Sequence, residues 1–218
     1  MACLLGIAAG IAQGASEPKR ASFNVTLKAT VTKDWNTVGQ TTEEGCPVTK
    51  HWVGRRTVKL RSTRPTTAVV TFAGGRASYS PSAVRFVAVE VGQTGSQSTS
   101  FQAPCPVRTT KVRCRRAHRT VGGGTFRFFR SARNEVSFRN APLPAAQSSC
   151  PRESSKVRSI RPGLHEAQGE LSEATLMDGR YPSQTALGSA ESETTLEGAE
   201  SGRVIERVNW ELTFTRKR

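Results

Sequence analysis

From residue 23 to residue 33 the chain reads FNVTLKATVTK, and apolar and polar positions alternate without a break. Phe23, Val25, Leu27, Ala29 and Val31 fall on one side of an extended chain, and Asn24, Thr26, Lys28, Thr30 and Thr32 on the other. Period two with a polar outer side is the pattern of a half-buried antiparallel strand. The far end repeats it: Val208, Trp210, Leu212 and Phe214 alternate with Asn209, Glu211, Thr213 and Thr215. Shorter candidates lie between. Residues 52–61 put Val58 and Leu60 on one side, and 68–73 is a mostly apolar run that stops at Gly74-Gly75. Residues 84–91 are apolar enough for burial on both faces, and 98–103 are expected to pair with them after a turn at 92–95. Residues 125–130 and 135–139 read as a hairpin. Prolines and glycines recur at short intervals throughout, which favours a sandwich or open barrel over alternating βαβ units.

The span 164–202 is patterned least. Leu171 and Thr175 are four apart and would suit one short helix, but Gly169 and the β-branched Thr175 weaken it. Strands at 168–177 and 185–196 are expected instead, with a turn at 199–202 leading into the last strand.

The formal charge of +15 is unevenly spread. Residues 1–164 carry 26 Lys and Arg against 7 Asp and Glu, whereas 165–206 carry 2 against 9. A hairpin in this region would lay the acidic segment along basic neighbours, as cross-strand pairs worth a few tenths to about 1 kcal/mol each. Arg outnumbers Lys 24 to 8, which fits a GC-rich genome.

The N-terminus, MACLLGIAAGIAQGASEPKR, has an apolar run at 2–12 and an A-x-G site at 12–14. Its length suits the core of a signal peptide better than a membrane span, although a positively charged leader is missing. Setting aside Cys3 leaves Cys46, Cys105, Cys114 and Cys150, an even set suited to two disulfides in an oxidising compartment. The segment CPVRTTKVRC (105–114) is echoed by CPRESSKVRS (150–159), and both read as Cys-Pro turns into basic strands. Cysteines flanking eight residues can face each other at a hairpin base, so Cys105–Cys114 is expected, leaving Cys46–Cys150.

Metal, catalytic and phosphate-loop signatures are weak. The closest cysteines are nine positions apart, wider than zinc pairs usually are, and His51, His118 and His165 are scattered. No cofactor is expected. No G-x-S-x-G elbow occurs. Glu166, Glu170 and Glu173 would serve a hydrolase that acts on the cell envelope, without sugar-stacking aromatics nearby. Gly122-Gly-Gly124 leads into a strand and not into a phosphate-binding helix. Asn24-Val-Thr26 is a glycosylation sequon placed mid-strand. Arg113, Arg115, Arg116, Arg119, Arg127 and Arg130 form a basic cluster interleaved with Phe126, Phe128 and Phe129. Such a cluster suits salt-sensitive attraction to anionic polymers or lipid headgroups. Specific nucleic-acid binding is a further alternative.

The opening V-T-L-K-A-T strand with Asp34-Trp35, Gly45-Cys46, the V-K-L-R-S-T-R-P segment, the Cys-Pro turns and the closing W-E-L-T-F-T-R together resemble uncharacterised exported β-rich proteins of GC-rich actinobacteria. The resemblance implies export and an all-β architecture, and it carries no functional residue. The expected protein is a single antiparallel β-sandwich or partly open barrel, immunoglobulin-like in architecture, with two disulfides. It has a signal peptide at 1–14, one domain at 15–218, an irregular linker near 141–149 and an acidic segment at 165–206. It is secreted or envelope-associated, has no transmembrane anchor, and binds anionic envelope polymers without catalysis.

Overall fold

The computed structural model describes residues 17–73, 76–81, 83–118, 122–129, 135–140, 153–160 and 167–218. The expected signal peptide, the linker at 141–149 and Cys150 lie outside them.

Among these residues eleven strands join one antiparallel sheet. The centre is β1 (Lys19–Glu43), bordered along one edge by β11 (Glu200–Arg216). Its other edge is shared. β3 (Thr66–Ala73) pairs with residues 19–25 and β2 (Cys46–Ser62) with 28–43. At the junction the Leu27 amide donates to Ser62 Oγ at 2.7 Å, which occupies a donor that neither ladder reaches. A second long strand, β5 (Ala83–Phe101), repeats the device. β2 lies on one edge, and β7 (Gly122–Phe129) and β6 (Thr109–His118) share the other. β4 (Arg76–Ser80) pairs with β3, and β8 (Glu135–Asn140) joins β7 to β9 (Ala167–Ser172). β10 (Ser183–Leu196) closes the outer edge of β11. The end strands β9 and β10 lie beside each other, so the open sheet curls on itself.

The period-two reading holds for β1 and β11. Phe23, Val25, Leu27, Ala29 and Val31 are buried together with Val208, Trp210, Leu212 and Phe214 in the main core. Phe23 meets Phe214 edge-on, with ring centroids 6.0 Å apart. Leu176 of the short helix α2 (Glu173–Met177) is fully buried in the same core. A strand across 168–177 was expected there. Strand β9 stops at Ser172, and the helical turn swings Leu176 into the core.

Other expectations are corrected. No turn forms at 92–95, because β5 runs straight through and β2 pairs with it on both sides of those glycines. The last turn falls earlier than 199–202. Gly198 takes the positive φ of +91° and β11 has begun by Glu200. Gly202 sits inside the strand, where a Cβ would overlap the Asn36 carbonyl oxygen and Thr37 Cα. The β7–β8 pairing agrees with the expected hairpin.

Cys105 bonds to Cys46, not to Cys114. The hairpin that contains Cys105 joins β5 to β6, so Cys105 lies in its loop, while Cys114 lies within β6 opposite Gly95. The loop folds onto the start of β2: the Gln102 amide donates to the Pro47 carbonyl and Gln102 Nε2 to Thr49 Oγ1. That brings Cys105 against Cys46. One disulfide is therefore present among the described residues.

The three tryptophans of the chain share a packing device. Trp35 lies over Gly54 and Trp210 over Gly188, each its direct cross-strand partner, and Trp52 lies over Gly39. The missing side chain leaves a slot for the flat indole.

Two outcomes follow. Gly54→Ala would push a Cβ into the Trp35 ring and is expected to cost roughly 1–3 kcal/mol, with a red shift of tryptophan emission. An unchanged urea midpoint would contradict the packing. Cys46→Ser opens a loop that spans 59 residues, and the chain-entropy relation puts the loss at up to about 4 kcal/mol. Thermal unfolding with and without reductant measures it.

Candidate functional site

The sheet has two polar surfaces of different character, and alternation decides which residue reaches which.

On the outer face, β6 presents Lys111, Arg113 and Arg115 at every second position, all exposed. They stand opposite Ser98, Ser96 and Thr94 of β5, which in turn stand opposite His51, Val53 and Arg55 of β2. Together these strands form a shallow depression of about 760 Å³ lined by Arg55, Lys111, Arg113 and Arg115, with Thr94 and Ser96 in its floor. Asp34 is the one acidic residue lining it. Its carboxylate accepts from Arg55 Nε at 2.5 Å and from Arg207 Nη1 at 2.9 Å. The hydrogen bond that Arg55 donates to the Asp34 carboxylate raises the Arg55 pKa above its ordinary value. Lys111, Arg113 and Arg115 thus stand beside one carboxylate that Arg55 and Arg207 already engage.

The other side of the same face is balanced. Arg203 pairs with Glu193 at 2.5 Å, Arg207 with Glu191 at 2.8 Å, and Lys28 with Glu211 at 3.3 Å. Arg203 holds the Glu193 carboxyl below its ordinary pKa, chiefly through the hydrogen bond. Here the acidic segment does what its hairpin pattern implied: β10 carries Glu191 and Glu193 alongside the arginines of β11. Positive charge is left over on β6, at Lys111, Arg113 and Arg115.

The inner face holds a buried charged rung that the sequence reading missed. Glu206 of β11, Lys33 of β1, Arg56 of β2 and Gln93 of β5 are successive register partners across four strands. Glu153, Ser154 and the helix α1 (Ser155–Ser159) lie over them. Lys33 Nζ donates to the Val157 carbonyl, and to that of Ile160 at 2.7 Å. Arg56 meets Glu153 at 3.0 Å and donates to Gln93 Oε1 at 3.1 Å. Ser154 donates to Glu200 and caps α1 by accepting from the Val157 amide at 3.0 Å. Val157 is buried beside Trp35 and Val204. The signal was present in the alternation: Lys33 follows Val31 in the inward phase of β1, and Glu206 precedes Val208 in that of β11.

Of the predicted basic cluster, Arg113 and Arg115 come together on the outer face, joined by Arg55 and Lys111, which the sequence reading did not select. Arg116 and Arg127 fall within β6 and β7, and their side chains lie outside the description. Arg119 and Arg130 lie outside the described residues, as does Glu166. Glu170 belongs to β9 and Glu173 opens α2, and their side chains lie outside the description. The second copy of the Cys-Pro segment does not enter a strand; its Ser155–Ser159 part is α1. Among the described residues no three His, Cys, Asp or Glu side chains gather as a metal site, and no helix is long and apolar enough to cross a membrane. No protein-family model matches the chain, and no curated protein matches it.

Lys33 is 2% exposed. Burial lowers its pKa from the ordinary 10.5, opposed by Glu153 and Glu206 and assisted by Arg56. The unfolded chain therefore holds this proton more tightly than the folded one. Stability should rise as pH climbs through the folded pKa toward 10.5. Lys33→Met should lack that rise and lose the two bonds to α1. Urea unfolding of both proteins from about pH 7 to about pH 10 tests this; parallel stability profiles would contradict it.

Proposed function

We propose that the chain is an exported, non-enzymatic β-module of the sandwich or partly open barrel type that binds anionic polymers or lipid headgroups of the cell envelope. The observation that carries this reading is the positive charge on the outer face: Lys111, Arg113 and Arg115, beside the Asp34-bound Arg55, over a floor of hydroxyls. Serine and threonine hydroxyls donate to anionic oxygens without adding charge, and guanidinium forks bind phosphate, sulfate and carboxylate alike. The shallow shape suits a polymer laid across the surface better than an enclosed small molecule. Export is supported by the apolar N-terminal run, by the Cys46–Cys105 bridge and by the resemblance to exported actinobacterial β-rich proteins.

Binding of this kind is electrostatic and weakens with salt. The wild type should be retained on heparin agarose at about 0.15 M salt. The variant Lys111→Glu/Arg113→Glu/Arg115→Glu should elute much earlier than Arg20→Glu/Arg64→Glu/Arg218→Glu, which has the same net charge. Co-elution of the two variants would remove the face from the proposal, and flow-through of the wild type at low salt would end it. Export is tested separately by secretion from an actinobacterial host with the native N-terminus. Thiol-blocked protein from the medium should yield a linked Cys46–Cys105 peptide; only free thiols there would overturn this part.

A further inference from the structure

Most strands that lack a second ladder partner are covered in another way. β9 and β10 lie beside each other, and β4 lies beside β7. β6 differs. Among the described elements β5 is its one extended neighbour. Thr109, Thr110, Lys111, Val112, Arg113 and Arg115 are all exposed. Side chains on both faces of residues 109–113 therefore meet water, and no described strand pairs with the other edge of β6. A free edge of this kind is a template for a further strand. No proline interrupts it over ten residues.

The side chains select what can pair there. Lys111, Arg113 and Arg115 line one depression and so share a face, at intervals of about 6.7 Å for every second residue of a strand. A second copy pairing edge to edge would bring like charges opposite each other, which is destabilising. A strand with Glu or Asp at every second position meets the same cations with opposite charge. On the reverse face Val112 is 44% exposed and offers an apolar contact to the residues between those acids.

We propose that β6 is a docking edge for an extended acidic segment of another protein, which adds a strand to the sheet. Backbone hydrogen bonds along the edge supply the binding, and the Lys111–Arg113–Arg115 row selects a segment that alternates acidic and apolar residues. This goes beyond the polymer-binding reading and does not rest on it, because a polymer needs the charges but not the edge.

The test uses the full chain and a fluorescein-labelled nine-residue peptide of alternating Glu and Val, capped at both ends, read by fluorescence anisotropy. Two further peptides carry N-methyl groups on the odd or on the even backbone amides, with charge unchanged. One methylated set would face β6 and the other would face solvent. The parent should bind, one methylated peptide should lose at least tenfold in affinity, and the other should bind like the parent. The variant Lys111→Glu/Arg113→Glu/Arg115→Glu should also lose at least tenfold, with its circular dichroism unchanged. Equal binding of all three peptides would mean charge attraction alone and would overturn strand addition while leaving heparin retention intact. Equal loss by both methylated peptides, or no binding of the parent, would overturn it as well.

Discussion

The ladder between β1 and β11 is the constraint on which the rest of the protein depends. It runs from Phe23 opposite Arg216 to Gly39 opposite Glu200 without a register shift. Because the side-chain period of a strand is two, one slip would carry the entire apolar set to the solvent side. The shared phase of these strands places Phe23, Leu27, Trp210 and Phe214 in one core, and it extends beyond that core. It also determines that Lys33 and Glu206 point inward and that Asp34 and Arg207 point outward.

This continuity gives the molecule two zones. Around residues 19–31 of β1 the inward phase is apolar, and the sheet curls over a dry core. At Lys33 and Glu206 the same phase carries charge, and the sheet there is covered by α1 in place of another sheet. Burying Lys33 without partners would be costly, so the cover has to supply them. The carbonyls of Val157 and Ile160 accept from its Nζ, and the Glu153 carboxylate pairs with the neighbouring Arg56. The apolar contacts of Val157 with Trp35 and Val204 then anchor the cover.

The outward phase shows how charge balance becomes a functional asymmetry. β10 neutralises Arg203 and Arg207 of β11, whereas β6 adds cations next to the polar strand β5. Among the described residues the outer face therefore carries Lys111, Arg113 and Arg115 of β6 beside a single carboxylate, Asp34, which Arg55 and Arg207 already engage. The Cys46–Cys105 bridge and the packing of Arg108 on Phe101, 4.3 Å from the ring centroid, hold the loop that launches β6. That strand thus keeps its place although its residues 109–113 are all exposed.

Alternation by itself determined β1, β11, β10 and the β7–β8 pairing, the inward set from Phe23 to Val31 and that from Val208 to Phe214, and the meeting of the acidic segment with arginine. These are local consequences of a period-two backbone and need no partner to be named. Tertiary structure alone decided which segments became neighbours. Gly92 and Gly95 look like a turn, yet they lie in a continuous strand because β2 is long enough to pair on both sides of them. Cys105 found Cys46 because the loop after β5 folds back on Pro47, a contact between residues distant in sequence. The Lys-Val-Arg of residues 111–113 is an exposed strand, and that of residues 156–158 is helical with Val157 fully buried. The same three residues adopt both forms because Ser154 caps one copy over an apolar patch, while β5 offers the other a free edge.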